Sequence, residues 1–339
     1  MGAIIFDGGG LADHLHEVLG YKAGVAASIE HLCDLLNGTD YPDLIRGSEA
    51  GFVRIRSENY EELYFTLLHK VGLTDKVHSP IHEMFSFHKK LREIGGESFV
   101  FDILKIYSEE AGIAAAEAKA SGKSKINPEG MIRHAYRKFG EKGLEAIALA
   151  IEYFERARVL NPNGTGRYAE WGNIQNIEDI FLRNGQAPQY GTFFDQRLIN
   201  YLSVNSNQLG AMHWRKFEEL IAECFQKEGF DVEIGPGSND DGVDIRVWVP
   251  GQREDNPPEY LIQCKRQKDK IDKVTVKGLY ADVAHEGAEM GLLVTTSEFS
   301  PGARNVVSAR GYPVTEVNGD MLSRWLLALR KPGTGIVRV

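Results

Sequence analysis

The sequence predicts an α/β C-terminal region, a mixed sheet flanked by helices, preceded by a mainly α-helical N-terminal domain. Three observations predict it. Helical periodicity runs through most of the first 200 residues. Near residue 205 the texture changes to short β-rich runs alternating with amphipathic stretches, the rhythm of a helix-covered sheet. Between the two, Asn205, Ser206 and Asn207 form a polar connector. The expected division is residues 1–205, residues 206–332 and a tail at 333–339.

In the N-terminal part, Ser28–Leu36 carries Ile29, Leu32, Cys33, Leu35 and Leu36 at helical spacing, with Asn37-Gly38 as the stop. Asn59 and Glu62 form a capping-box pattern ahead of a helix through Leu68. Phe99–Ala120 and Leu144–Leu160 are longer helical stretches, the second ended by Asn161-Pro162-Asn163-Gly164. In the C-terminal part, Met212–Glu228 is an amphipathic helix with Trp214, Phe217, Leu220, Ile221, Cys224 and Phe225 on one face. Strands follow at Asp231–Ile234, Val243–Val249 and Glu259–Lys265, then a helix over Asp272–Glu286. A strand at Gly291–Thr296, a helix at Pro301–Arg310, a strand at Pro313–Val317 and a helix at Asp320–Arg330 complete the pattern.

The composition narrows the function. With 339 residues the chain has room for about two domains, and 42% hydrophobic with 26% charged residues is ordinary for a globular protein. A net charge of −9 excludes a wholesale polyanion binder, so any nucleic-acid site is a local basic patch. Cys33, Cys224 and Cys264 lie far apart and in odd number, which reads as reduced thiols. No long apolar run predicts a membrane span. Met1–Phe6 lacks the basic stretch of a signal peptide and has Phe6 where a myristoylation motif needs Ser or Thr. A cytoplasmic location without a membrane partner is the expectation.

The chemistry concentrates on two neighbouring strands. Alternation puts Val243, Ile245 and Val247 on one face and Asp244 on the other, and it gives Leu261, Gln263 and Lys265 a common face. Paired strands bring a carboxylate, a carboxamide oxygen and an ammonium into one small site. Hard oxygen ligands suit Mg²⁺, or Mn²⁺ in its place. A lysine beside them orients an attacking water or stabilises charge on a phosphoryl transition state.

The pieces Trp214-Arg215-Lys216-Phe217-Glu218, Asp240-Asp241-Gly242-Val243-Asp244-Ile245 and Leu261-Ile262-Gln263-Cys264-Lys265 occur in that order. With Gly291–Ser297, Phe299 and Ala303 downstream, residues from Met212 to about Leu329 resemble the Mrr-like branch of the PD-(D/E)xK nuclease superfamily. The resemblance implies a restriction-endonuclease-like fold and divalent-metal-dependent cleavage of phosphodiesters, usually in double-stranded DNA. It implies Asp244 as the essential metal ligand, Lys265 as the catalytic lysine, and Gln263 as a neutral ligand where most of the superfamily has Asp or Glu. Glu218 matches the helical glutamate of that branch and restores the missing negative charge. Restriction of foreign or modified DNA, or antiviral defence, is the implied role, and cutting both strands implies a homodimer.

From Lys265 to Lys277 six basic residues stand against two acidic ones. Arg266, Lys268, Lys270, Lys273 and Lys277 are therefore the expected phosphate contacts, with Arg215 adding to the rim. Asp240 and Asp241 read as a solvated turn. Ser121-Gly122-Lys123-Ser124 is not a P-loop, because Glu117 stands where the motif needs Gly. Gly8-Gly9-Gly10 reads as a flexible turn, and His78, His82 and His88 read as structural or surface residues rather than a metal cluster. Residues 1–200 carry 22 basic and 28 acidic side chains, which argues against their being the main DNA-gripping surface. Two alternatives stay open: a non-cleaving DNA-binding or assembly subunit, and a nuclease switched on by a signal bound to the N-terminal domain.

Overall fold

In the computed structural model, residues 2–123, 126–167, 171–237 and 242–331 are described. The turn expected at Asp240 and Asp241, the tail at 333–339 and Ser124 lie outside them. The chain separates into two compact units, Met1–Val77 with Ala169–Val339, and His78–Tyr168. The boundary expected near residue 205 thus falls within one unit, while the helical insertion forms the other.

The first unit begins with β1 (Ala3–Phe6), α1 (Gly10–Ala23), β2 (Val25–Ala26), α2 (Ile29–Leu35), α3 (Tyr41–Ala50), β3 (Val53–Arg56) and α4 (Ser57–Lys70). The stretches of α2 and α4 were legible in sequence; α1, α3 and the strands were not. β1 pairs antiparallel with β3, and at four residues each they are too short to establish a period. This pairing also corrects the capping box expected at Asn59. β3 holds Arg56 extended up to the helix, and Ser57 N–H donates to Gly2 O (3.1 Å), so α4 starts at Ser57 and Asn59 lies in its first turn. The turn over Gly8-Gly9-Gly10 is a close one, with Gly10 N–H donating to Asp7 O (2.8 Å).

The second unit is a helical bundle of α5 (Pro80–Gly95), α6 (Glu97–Ala120), α7 (Glu129–Phe139) and α8 (Glu141–Leu160). Phe87, Leu91, Val100, Ile103, Ile106, Met131 and Ile147 fill its core. Pro80 opens α5, where a missing N–H costs nothing, and Ser79 caps it. His78 pairs with Glu83, which agrees with a structural reading of that histidine.

The first unit resumes with β4 (Gln175–Asn176), parallel to β2, a 3₁₀ turn (Ile177–Phe181) and α9 (Gln196–Val204). A second 3₁₀ turn (Ser206–Ala211) leads to α10 (Trp214–Lys227), β5 (Asp231–Ile234), β6 (Ile245–Trp248), β7 (Tyr260–Lys265) and α11 (Lys273–Glu286). Then come β8 (Met290–Thr295), α12 (Pro301–Arg310), β9 (Val314–Val317) and α13 (Gly319–Leu329). The sheet order is β5-β6-β7-β8-β9, antiparallel across the first two pairings and parallel across the last two. It is the mixed, helix-flanked sheet that the sequence predicts. Leu261, Leu293 and Val314 pack under Val276, Leu279, Val283 and Ala303 of α11 and α12. On the opposite face Tyr260 meets Phe225 of α10, which meets Trp325 of α13.

Two buried charged nodes tie α9 and α10 to the earlier chain. Arg197 grips Asp195 through two nitrogens (2.8 and 2.9 Å) and donates to Gly24 O and Asn173 O. Burial works to raise the Asp195 carboxyl, but the bonds from Arg197 win and hold it below its ordinary range. Glu223 Oε2 accepts the backbone N–H groups of Thr192, Phe193 and Phe194 at 2.9, 2.7 and 3.2 Å. No described helix is long and apolar enough to cross a membrane.

Glu223→Ala strips the acceptor from three N–H groups and leaves Lys227 without its partner. We expect it to destabilise this unit by about 3 kcal/mol, read as an earlier urea transition, with Glu223→Gln losing less because an acceptor remains.

Candidate active site

The site forms where the β6–β7 ladder ends. Ile245 is paired with Ile262 and Arg246 with Leu261, so β6 and β7 present matched faces. Arg246 reaches α11 and holds Glu286 through two bonds (2.8 and 2.7 Å). Alternation then sets Gln263 and Lys265 on this same α11 side, and Ile262 and Cys264 on the α10 side.

Asp244 stands one residue before β6. Its N–H donates to Ile262 O (2.9 Å) and its carbonyl accepts Gly235 N–H (2.8 Å), so its backbone is held by both flanking strands. Its Oδ2 accepts the N–H of Cys264 at 2.6 Å, taking the place of a ladder acceptor. The carboxylate is thereby fixed against the residue between Gln263 and Lys265. The expected juxtaposition of Asp244 with the Gln263-Cys264-Lys265 segment is present.

Gln263 is buried, and its Oε1 has no hydrogen-bond partner among the described residues. Its Nε2 lies against Gly242, where an added Cβ would come within 3.0 Å of it. Gly242 also has φ +91°, so a side chain there is opposed by both conformation and space. An unpaired buried carbonyl is costly, of the order of 1–3 kcal/mol, and marks a group prepared for another partner.

Glu218 enters from α10. It is buried, and its Oε2 accepts from Arg215 Nη1 (3.1 Å), which also donates to Gly235 O (2.8 Å). Gly235 in turn holds Asp244, so Arg215 connects the helical glutamate to the strand carrying the aspartate. The Cys264 thiol registers the gathering. Burial first, then the charges of Asp244 and Glu218, push it well above its ordinary range, against the opposing charge of Lys265.

The basic residues divide. Arg215 serves Glu218, Lys270 pairs with Glu298 (2.6 Å), and Arg266 Nη1 donates to Gly210 O (2.8 Å). Lys268, Lys273 and Lys277 are exposed and make no ion pair with described residues. Sequence reading placed Arg215 on the outer rim and gave no role to Gly242. Arg215 faces the same helix three residues before Glu218, the spacing of an intrahelical ion pair, and that signal was available.

Residues 209–326 match the Mrr_cat family, described as restriction endonuclease. An uncharacterized protein of Sinorhizobium fredii, y4cE, is 29% identical over 110 residues, which are 31% of this chain and 27% of that protein. The chain thus spans about a quarter of the length of the curated relative it matches. Among solved structures, the MspJI restriction endonuclease in complex with a 27-mer oligonucleotide is similar at 20% identity, covering 44% of this chain and 37% of that one, with a TM-score of 0.28. Metal-depleted Ecl18kI in complex with uncleaved, modified DNA is similar at 13% identity, covering 82% and 87%, with a TM-score of 0.23. The region that matches the restriction-endonuclease family model carries the mixed, helix-flanked sheet, and a mostly helical N-terminal region precedes it.

All three thiols are raised above their ordinary range by burial, Cys224 to about 12. At pH 8 the native protein should therefore give no fast-reacting thiol with a chromogenic disulfide reagent, and three after denaturation in guanidinium. A fast single thiol traced to Cys264 would contradict the raised thiol that burial and the neighbouring carboxylates produce there.

Proposed function

We propose that this chain is a divalent-metal-dependent endonuclease that hydrolyses phosphodiester bonds of double-stranded DNA, acting in restriction of foreign or modified DNA. The observation that carries the reading is the Asp244 carboxylate fixed on the Cys264 N–H, within the region that matches the restriction-endonuclease family, beside the Gln263 carbonyl that has no partner among the described residues.

The donor set suits Mg²⁺ or Mn²⁺: Asp244 and Gln263 offer hard oxygens, with Glu218 a second carboxylate from α10. No group of three or more His, Cys, Asp or Glu side chains poised to hold a metal occurs among the described residues. The neutral Gln263 accounts for part of that result, since an amide oxygen stands where a third carboxylate would be. When bound, such an ion supplies charge neutralisation at the phosphate and acidifies an attacking water. Lys265, on the same face as Gln263, is placed to orient that water through its ammonium and to stabilise the negative charge that grows on the phosphoryl oxygens. Asp244 and Gln263 are positioned by the β6–β7 ladder and need no rearrangement before the reaction, the condition under which electrostatic stabilisation is strongest. Lys268, Lys273 and Lys277 supply phosphate contacts along the backbone. Cutting both strands takes two such sites, and a homodimer provides them.

A second reading concerns control. The His78–Tyr168 unit has its own core and a cleft of about 720 Å³ lined by Glu110, Glu129, Arg133, His134 and Arg137. A signal bound there would make the chain a switched nuclease effector.

The test is conversion of supercoiled plasmid, plain and methylated, to nicked and linear forms with Mg²⁺. Wild type should cut, chelation by EDTA should stop it, and folded Asp244→Ala and Lys265→Ala should each lose at least about 100-fold in rate. Cleavage that persists in both variants would remove Asp244 and Lys265 from the chemistry. Binding without cleavage on either plasmid would favour the switched effector or the non-cleaving subunit.

A further inference from the structure

Arg183 lies outside the residues 209–326 that match the nuclease family, on the loop after the 3₁₀ turn Ile177–Phe181. That loop is closed on itself. Leu182 N–H donates to Asp179 O (3.2 Å), and Gln186 N–H donates to the buried Asp179 carboxylate (2.9 Å). It is also fastened to the start of α10, because His213 N–H donates to Ile180 O (2.8 Å). The guanidinium of Arg183 is exposed, makes no ion pair with described residues, and sits over the ring of Trp214 at 6.0 Å. The six-membered ring of Trp214 abuts Gly237, where a Cβ would meet Cη2 at 2.9 Å, and Gly237 follows two residues after the Gly235 that holds Asp244.

A cluster of positive charge surrounds this stack. Arg266, the residue after Lys265, is tied to Gly210 just before α10. Lys216 is neutralised by Glu219 (2.7 Å) and Arg215 by Glu218, which leaves Arg183 and Arg266 without an ion pair among the described residues. His213, beside Trp214, is held below its ordinary range by burial first and then by Arg183 and Arg266, so both arginines act on one point.

We propose that Arg183, aimed by the Trp214 ring, is a phosphate contact for the double-stranded DNA handled at the Asp244–Lys265 site, supplied by the chain segment before the nuclease domain. The inference rests on the endonuclease reading and adds a substrate contact to it. An arginine stacked on an exposed tryptophan loses less freedom on binding phosphate than a free lysine, and its planar fork presents several donors at once. The loop clamp at Asp179 and Ile180 keeps that fork at a fixed place relative to α10, which carries Glu218.

The test measures binding separately from cleavage. Affinity for a short DNA duplex is followed by fluorescence anisotropy in EDTA over a range of salt concentrations. Each phosphate contact contributes about 0.9 to the slope of log K against log salt. Arg183→Gln should therefore lower the slope by about one unit and weaken binding about fivefold at low salt. Arg183→Lys should restore most of the slope but only part of the affinity. Arg46→Gln, which removes an arginine paired with Glu30 at the surface, should change neither. An unchanged slope in a folded Arg183→Gln protein overturns the inference, while wild-type plasmid cutting and its loss in Asp244→Ala would leave the endonuclease reading standing. Wild type that binds no duplex DNA, or binds RNA in preference, overturns both.

Discussion

The bond from Cys264 N–H to Asp244 Oδ2 is the constraint on which the candidate site depends. At the end of an antiparallel ladder a strand normally leaves a backbone donor for water. Here that donor is taken by a side chain, so the ladder closes on a carboxylate instead of a carbonyl. The carboxylate is held at the junction of two strands whose register is already fixed by Ile245 with Ile262. Gly242 permits this by leaving room for Gln263, and a positive φ turns the chain into β6. The site is thus a consequence of how the sheet ends. A one-residue slip in the register would carry Gln263 and Lys265 to the α10 side, away from Arg246.

The sheet alone does not hold α10 in place. Its acidic residues divide by depth: Glu218 toward the site through Arg215, Glu219 to Lys216, and Glu223 into a loop of three N–H groups. The last contact fastens the helix to residues 192–194, and Arg197 fastens those neighbours to Gly24 and Asn173. The chain before the nuclease domain is therefore part of the structure that positions Glu218. That is the physical reason residues 1–77 and 169–339 form one compact unit while the helical bundle of 78–168 forms another.

The basic run after Lys265 shows how far a charge count carries. It located a positive stretch, but two of the five arginines and lysines that follow Lys265 have work inside the fold. Lys270 answers Glu298, and Arg266 holds a carbonyl of the turn before α10. Exposure leaves Lys268, Lys273 and Lys277 facing solvent. Arg183 gave no signal in sequence, because it stands alone in a loop far from the motif. Only its approach to Trp214 gives it a place beside the site.

The sequence by itself determined the α/β order of the C-terminal region, the α10 amphipathic face, and the alternation that gives Leu261, Gln263 and Lys265 a common face. These are local properties: a period of two or of 3.6, a turn, a short motif on a strand. The tertiary structure decided the rest, because each remaining feature depends on partners distant in the chain. The short β1–β3 pair, the division into units, the shift of the α4 start to Ser57, and the Arg215 link between Glu218 and Gly235 all rest on contacts that no local pattern encodes. Whether a buried charge is matched, and by which backbone group, is settled only when the chain has closed around it.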